Sequence, residues 1–164
     1  MRTTIIIVLT LMWIVFRTPA FLADPSAPWI LKAATYHFFH ANIFHLAVNS
    51  LAIWSLFNPK HLIGVRNFFT AYIIATLMYC TAVRPVIGVS NILFATFGLR
   101  TPAFGNPWWK KKEVLVFFAL NILMLLIPSI SAISHITSLT LGILVAECRR
   151  KLNLLGDDYR RANR

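Results

Sequence analysis

Charged side chains are scarce in this sequence, and acidic ones are the scarcest. Only 13% of the 164 residues are charged and only five are Asp or Glu, whereas 58% are hydrophobic. A soluble domain averages about 25% charged and roughly 45–50% apolar residues. This composition therefore argues against an ordinary soluble domain and indicates a membrane protein. The lysines and arginines stand in short gaps between apolar runs rather than on one solvated face, which argues against a nucleic-acid partner.

No acidic residue falls in the middle of an apolar run, and there are only two cysteines. Cys80 and Cys148 should lie near opposite membrane surfaces, so we expect no disulfide between them. The lack of mid-membrane carboxylates excludes a Ser-His-Asp triad. It also argues against a metal site, because no carboxylate or thiolate accompanies the histidines at depth. We expect no cofactor. The sequence has no internal repeat, which argues against a small transporter or channel component.

Six apolar stretches are candidates for membrane crossings, since a crossing helix needs about 20 mainly apolar residues. They are residues 3–21, 40–57, 65–83, 88–101, 113–129 and 131–148. The predicted fold is therefore all-α, a polytopic membrane bundle of six transmembrane helices over residues 1–150, followed by a basic cytoplasmic tail at 151–164. The fourth stretch is short, and residues 81–89 before it are predicted to form a loop that dips in from outside.

The basic residues predict the orientation. Of the 16 lysines and arginines, only Arg17, Lys32 and Arg84 fall on one side of the predicted spans, which leaves 13 on the other. Basic residues accumulate in cytoplasmic segments, so both termini are predicted to be cytoplasmic. We expect an integral multi-pass protein of a prokaryotic plasma (inner) membrane.

Polar side chains recur inside three of these apolar stretches. They lie in the segment from His40 to Asn49, in Gly88 to Asn91, and in Ser134 to Ser138. At 1.5 Å per residue, His45, Asn49, Ser90 and His135 all fall roughly 15–22 Å from the inner boundary. An ionisable or strongly polar residue at such depth indicates a functional site. A serine, a histidine and a separate His/Asn donor pair suggest a hydrolase that works inside the membrane, and hydrolysis there requires a cavity open to outside water.

These motifs resemble the rhomboid family of intramembrane serine proteases. That family has H-x-x-x-N on a second helix, G-x-S-G opening a fourth, and a histidine followed by small residues on a sixth. The corresponding sequences here are HLAVN at 45–49, GVSN at 88–91, and His135 with Ser138 and Gly142. The resemblance implies that Ser90 is the nucleophile and His135 its base. It also implies that His45, Asn49 and the Ser90 backbone N–H form the oxyanion hole.

The resemblance assigns supporting places to further residues. Phe94 would pack on the catalytic histidine, and Gly88, Ser138 and Gly142 belong to the motifs. Small residues at 134, 138, 142 and 146 form a ridge that allows close helix packing. His37 and His40 are expected to face the interface or a substrate rather than to be catalytic, and His40 could brace the first loop.

Two departures from the family pattern leave an alternative open. Asn91 stands where the family usually has glycine, and Ser138 where it often has glycine. The predicted function is a serine endopeptidase that cleaves transmembrane segments of membrane proteins through a Ser-His dyad. Its partners would be those substrates and the lipid bilayer. The alternative is a catalytically inactive rhomboid-like protein that binds transmembrane segments and governs their folding or turnover.

Overall fold

The part of the chain described by the computed structural model is all-α. It comprises residues 2–16, 26–56, 65–81, 88–104 and 132–152, with isolated helical positions at 112, 115, 116, 118, 119 and 122. Within it, the α-helices are α1 (Arg2–Phe16), α2 (Trp29–Thr35), α3 (Ile43–Leu56), α4 (Val65–Thr81), α5 (Ser90–Leu99) and α6 (Ala132–Lys151). Two short 3-10 helices, Tyr36–Phe38 and Thr101–Phe104, follow α2 and α5.

Five of these helices coincide with five of the six stretches that the sequence predicted as spans. The exception is α2, which lies in the predicted first outer loop. The sixth predicted span, 113–129, falls mostly outside the described residues, as do 82–87 of the predicted dipping loop and 153–164 of the tail. Helices α1, α3, α4 and α5 contain 15, 14, 17 and 10 residues. None of the helices in the described ranges is both long and apolar enough to cross a membrane.

Local signals define where the two helices before α4 begin. The side-chain Oδ1 of Asn42 accepts the backbone N–H of His45 at 2.8 Å, so Asn42 caps the first turn of α3. The carbonyl of Pro28 accepts the N–H groups of Leu31 and Lys32 and so closes the first turn of α2. These caps satisfy backbone donors that a helix start leaves without a partner. The Asn42 cap thus fixes where α3, the helix that carries His45 and Asn49, begins.

Helix α5 lies at the centre of the described bundle, and all ten of its residues are buried. Its most extensive contact is with α6, and it also packs on α4 and α3. The α5–α6 crossing is very close. A Cβ atom on Gly98 would overlap the carbonyl oxygen of Leu139, and one on Gly142 would overlap that of Ala95. Only residues without a side chain permit this approach.

The outer faces of the bundle are apolar, and several polar side chains are buried inside it. Large apolar side chains on the outer faces are exposed, among them Phe44 at 76%, Leu51 at 68% and Ile133 at 74%. Buried positions carry polar groups, and Asn91 and Ser138 are fully buried. Extensive exposed apolar surface marks contact with a partner or a membrane, so the apolar exterior fits a lipid environment.

Contacts between side chains also join the helices near one end of the bundle. The Arg149 guanidinium donates to Asn67 Oδ1 at 2.9 Å and to Thr70 Oγ1 at 2.6 Å, which ties α6 to α4. The Arg2 guanidinium lies 3.8 Å from the centre of the Trp54 ring and ties α1 to α3. Such cation–π contacts contribute about 0.5–1 kcal/mol at exposed sites.

Candidate active site

Ser90 is the first residue of α5, and the chain reaches it through a glycine in an unusual conformation. Gly88 has a φ of 106°, which side-chain-bearing residues rarely adopt. The Ser90 side chain is 7% exposed, and its Oγ lies 2.8 Å from Nε2 of His135. The first N–H groups of a helix have no acceptor within that helix, and the Ser90 N–H is one of them. Ser90 therefore combines a histidine-bonded hydroxyl with a backbone donor.

His135 is held against α5 by the close helix crossing. Its imidazole stacks on the Phe94 ring, with centroids 4.4 Å apart and an interplanar angle of 11°. Phe94 lies one helical turn after Ser90, so the same helix supplies the hydroxyl and the stacking surface. Nδ1 of His135 is buried and has no hydrogen-bond partner among the described residues. In this part of the chain, Ser90 and His135 form a pair without a third member.

His45 and Asn49 lie one turn apart on α3, and both flank Gly88. A Cβ atom on Gly88 would lie 2.8 Å from Cε1 of His45 and 3.4 Å from Nδ2 of Asn49. Asn49 is 5% exposed, and its Nδ2 donor has no hydrogen-bond partner within the described ranges. The structure thus brings the HLAVN and GVSN motifs together. A buried donor without an acceptor, Asn49 Nδ2, therefore lies beside Gly88, the residue two positions before Ser90.

His37 and His40 are inside the bundle, not at an interface as the sequence suggested. His37 is 1% exposed, and its Nε2 lies 3.2 Å from Thr76 Oγ1 on α4. His40 is fully buried and meets His45 edge to face, with ring centroids 5.1 Å apart. Burial contradicts the interfacial position for both, whereas the expectation that they face a substrate stays a prediction. The 3-10 helix and the residues after it fold inward against α4 and α3.

The remaining predicted residues lie at the α5–α6 contact. Asn91 is fully buried, and its carboxamide hydrogen-bonds to Tyr36 and Ser134. Ser138 is also fully buried, and Gly142 makes the close approach to α5 described above. The small-residue ridge of α6 faces α5, as its spacing predicted.

Two residues that position the site were not indicated by the sequence analysis. Gly98 is the α5 partner of the small-residue ridge. It lacks a side chain and lies about two turns into a helix predicted to pack on that ridge, and this could have identified it. Tyr36 accepts the backbone N–H of Gly88 at 3.0 Å through its carbonyl oxygen. It lies in a loop without periodicity, so no sequence signal connects it to Ser90.

A cavity of about 450 Å³ lies between α1, α4, α5 and the first 3-10 helix. Its lining is mostly apolar and includes Val89 and Ile92, but neither Ser90 nor His135. It is therefore not the water-accessible cavity beside the serine that the sequence analysis expected.

The arrangement has the parts required for acyl transfer. A histidine beside a serine hydroxyl can accept its proton and make the oxygen nucleophilic. Neutral N–H donors nearby can stabilise the negative charge that develops on a carbonyl oxygen.

The family model described as the rhomboid domain matches residues 28–151 of this chain. That range includes α2 to α6 and every residue of the candidate site. No curated protein and no solved structure matches the chain.

Proposed function

This chain belongs to the rhomboid family, which makes it an integral membrane protein, and we propose that it is an intramembrane serine endopeptidase. The observation that carries the proposal is the 2.8 Å contact between Ser90 Oγ and His135 Nε2. His135 accepts the serine proton while Oγ attacks the carbonyl carbon of a peptide bond. It then donates that proton to the leaving amine, which leaves an acyl-enzyme on Ser90. His135 next activates the water that releases the acyl group.

The oxyanion formed during attack is stabilised by three neutral donors. They are Asn49 Nδ2, the His45 ring and the Ser90 backbone N–H. The unpartnered state of Asn49 Nδ2 supports this role, because a preorganised donor awaits the charge that appears in the transition state. The absence of a side chain on Gly88 lets the segment before Ser90 pack closely against both α3 residues.

The substrates we propose are transmembrane segments of single-span proteins, cut near the outer surface after a small residue. A helix must unwind before its peptide bond can reach Ser90, and Gly or Pro in the substrate lowers the cost of unwinding. We place the protein in a prokaryotic inner membrane with both termini cytoplasmic and with the lipid bilayer as its surroundings.

A second candidate function follows from Asn91. An inactive rhomboid-like protein binds transmembrane segments without cutting them, and a side chain at a position where the family usually has glycine favours that class. The retained Ser90–His135 pair favours the protease, because a binding protein has no need of a hydrogen-bonded nucleophile and base.

A fluorophosphonate probe distinguishes the two functions, because it reacts only with an activated serine. We expect the purified protein in detergent micelles to be labelled and labelling to vanish in Ser90→Ala and His135→Ala. Ser50→Ala is the matched control, since Ser50 lies on α3 outside the proposed machinery, and it should be labelled like the wild type. Absence of labelling in the folded wild type, or labelling that survives Ser90→Ala, would reject the protease in favour of the binding protein.

A further inference from the structure

Asn91 is the residue next to Ser90, and its carboxamide makes two side-chain hydrogen bonds. Nδ2 donates to the Tyr36 hydroxyl at 3.1 Å, and Oδ1 accepts from the Ser134 hydroxyl at 3.2 Å. Asn91 is fully buried, as is Tyr36, and Ser134 is 7% exposed. A buried polar side chain is stable only when such partners are present. The side chain at position 91 is therefore accommodated by specific partners.

Tyr36 contacts the serine segment on both sides of Ser90. Its hydroxyl accepts from Asn91, one residue after the serine, and its carbonyl accepts the N–H of Gly88, two residues before it. The same hydroxyl donates to the Ala75 carbonyl on α4 at 2.7 Å. The Tyr36 ring stacks on Tyr79, with centroids 4.9 Å apart. Tyr36 thus connects the start of α5 to α4.

In this series of hydrogen bonds, each group donates to one neighbour or accepts from it without conflict. Because the Tyr36 hydroxyl uses its proton on Ala75, it presents only lone pairs to Asn91, which must then turn its NH₂ group toward it. The Asn91 oxygen consequently faces Ser134, whose hydroxyl supplies a proton. Ser134 directly precedes His135 on α6. One carboxamide therefore joins the residue next to the proposed nucleophile to the residue next to its base.

We propose that Tyr36, Asn91 and Ser134 form a positioning network that fixes the Ser90–His135 contact. The proposal rests on the proposed function, for which Ser90 and His135 are the reacting pair. The network spans the first 3-10 helix, α4, α5 and α6. A glycine at position 91 would remove the carboxamide that joins them. Asn91 thus stabilises the arrangement of this site and does not inactivate it.

Three substitutions test the network: Tyr36→Phe removes the hydroxyl, and Asn91→Ala and Asn91→Gly each remove the carboxamide. Tyr72→Phe is the matched control. It deletes a tyrosine hydroxyl that donates to the Ala34 carbonyl, another link between α4 and the α2 region, and it leaves Asn91 untouched. With a cleavable transmembrane substrate, each network variant should lower kcat by about tenfold with KM within about twofold, since small misplacements of reacting groups are costly. A rise in kcat for Asn91→Gly would contradict the proposal.

A second measurement does not depend on proteolysis. In a Ser90→Cys protein with Cys80 and Cys148 replaced by Ala, the pH profile of alkylation by iodoacetamide reports the contact between residue 90 and His135, because a histidine beside a thiol favours the reactive thiolate. His135→Ala defines the profile without that contact. Tyr36→Phe and Asn91→Ala should shift the midpoint toward the His135→Ala value, by up to about one pH unit or tenfold in rate at fixed pH. Tyr72→Phe should not.

The network also predicts that Tyr36→Phe and Asn91→Ala are not additive. The double variant should have the same alkylation midpoint as the more affected single variant, because both changes break one linkage. Midpoints of both single variants equal to that of the Ser90→Cys parent would overturn the positioning role. If fluorophosphonate fails to label Ser90 while these midpoints still shift, the proposed protease function is rejected and the network is retained.

Discussion

The Asn49 side chain carries an unsatisfied donor in a place where burial makes that costly. Its Nδ2 has no partner among the described residues, and the residue is 5% exposed. A buried donor without an acceptor costs about 1–3 kcal/mol. Such a cost is retained where a ligand or transition state supplies the acceptor. Removal of this group should therefore lower kcat without lowering the stability of the fold.

We predict that Asn49→Ala lowers kcat by about 10²–10³-fold, the usual effect of losing one oxyanion donor. The midpoint of thermal unfolding should be unchanged or higher, because the alanine leaves no unpaired amide. Both are measured on purified protein in detergent, by substrate cleavage and by thermal denaturation.

Asn67→Ala is the crossed control for this prediction. Asn67 accepts from Arg149 on the opposite helix, so its loss should lower the unfolding midpoint while kcat stays within about twofold. If Asn49→Ala cleaved as fast as the wild type, Asn49 would have no part in stabilising the oxyanion.

At the scale of the element, the α5–α6 contact determines whether the serine and the histidine meet. The two backbones are so close that a Cβ atom on Gly98 would overlap the Leu139 carbonyl oxygen. Ser138 lies on the same ridge of α6, and its Oγ has no hydrogen-bond partner in the described part of the chain. Two small substitutions at one interface should therefore have unequal effects on stability.

We predict that Gly98→Ala destabilises the protein by about 1–3 kcal/mol, because the extra methyl group forces the helices apart. Ser138→Ala should change the free energy of unfolding by less than about 1 kcal/mol, since it removes a hydroxyl that makes no bond. Unfolding in mixed micelles with increasing denaturing detergent measures both. Equal stabilities for the two variants would mean that the close crossing does not exist in the folded protein.

The helices themselves were largely predictable from apolar length, but their details were not. The stretches 40–57 and 65–83 correspond to α3 and α4, and the small residues at 134, 138, 142 and 146 of α6 are all buried. The short helix α2 was missed because its seven residues lie in a segment with no clear period. The inward fold of His37 and His40 was also missed, because burial of a loop depends on partners distant in sequence.

Most of the candidate site could be predicted from two features of the sequence, the spacing of residues along a helix and their depth in the predicted spans. The spacing of His45 and Asn49 places them on one helix face, and equal depth below the membrane surface brings Ser90 to His135. Tyr36 could not be predicted, since its contacts to Gly88, Asn91 and Ala75 arise only when three separate segments meet. Likewise, the sequence showed Asn91 only as a departure from the family pattern, because its hydrogen bonds to Tyr36 and Ser134 join residues distant in sequence.

At the scale of the whole molecule, the exposed apolar side chains and the buried polar groups fit family membership in a class of integral membrane proteins. The direction of insertion is a separate question, and it rests on the unequal distribution of lysine and arginine. Arg149, Arg150 and Lys151 in the last turn of α6 belong to the basic side. That side should face the cytoplasm.

We predict that alkaline phosphatase fused after Arg164 is inactive and that green fluorescent protein fused there is fluorescent. The phosphatase needs disulfides that form only outside the cytoplasm. The matched control is the phosphatase fused after Ala27, in the predicted first outer loop, which should be active. Activity of the phosphatase at the C-terminus would invert the proposed topology.

The enclosure of α5 has a consequence for how this sequence can vary. Every side chain of that helix is packed, so none of its ten positions can change without disturbing a neighbour. Exposed positions of α3 such as Phe44 and Leu51 are not restricted by packing and need only remain apolar. In a library of random variants, sequences that retain folding should therefore vary at the exposed apolar positions, while α5 stays nearly constant.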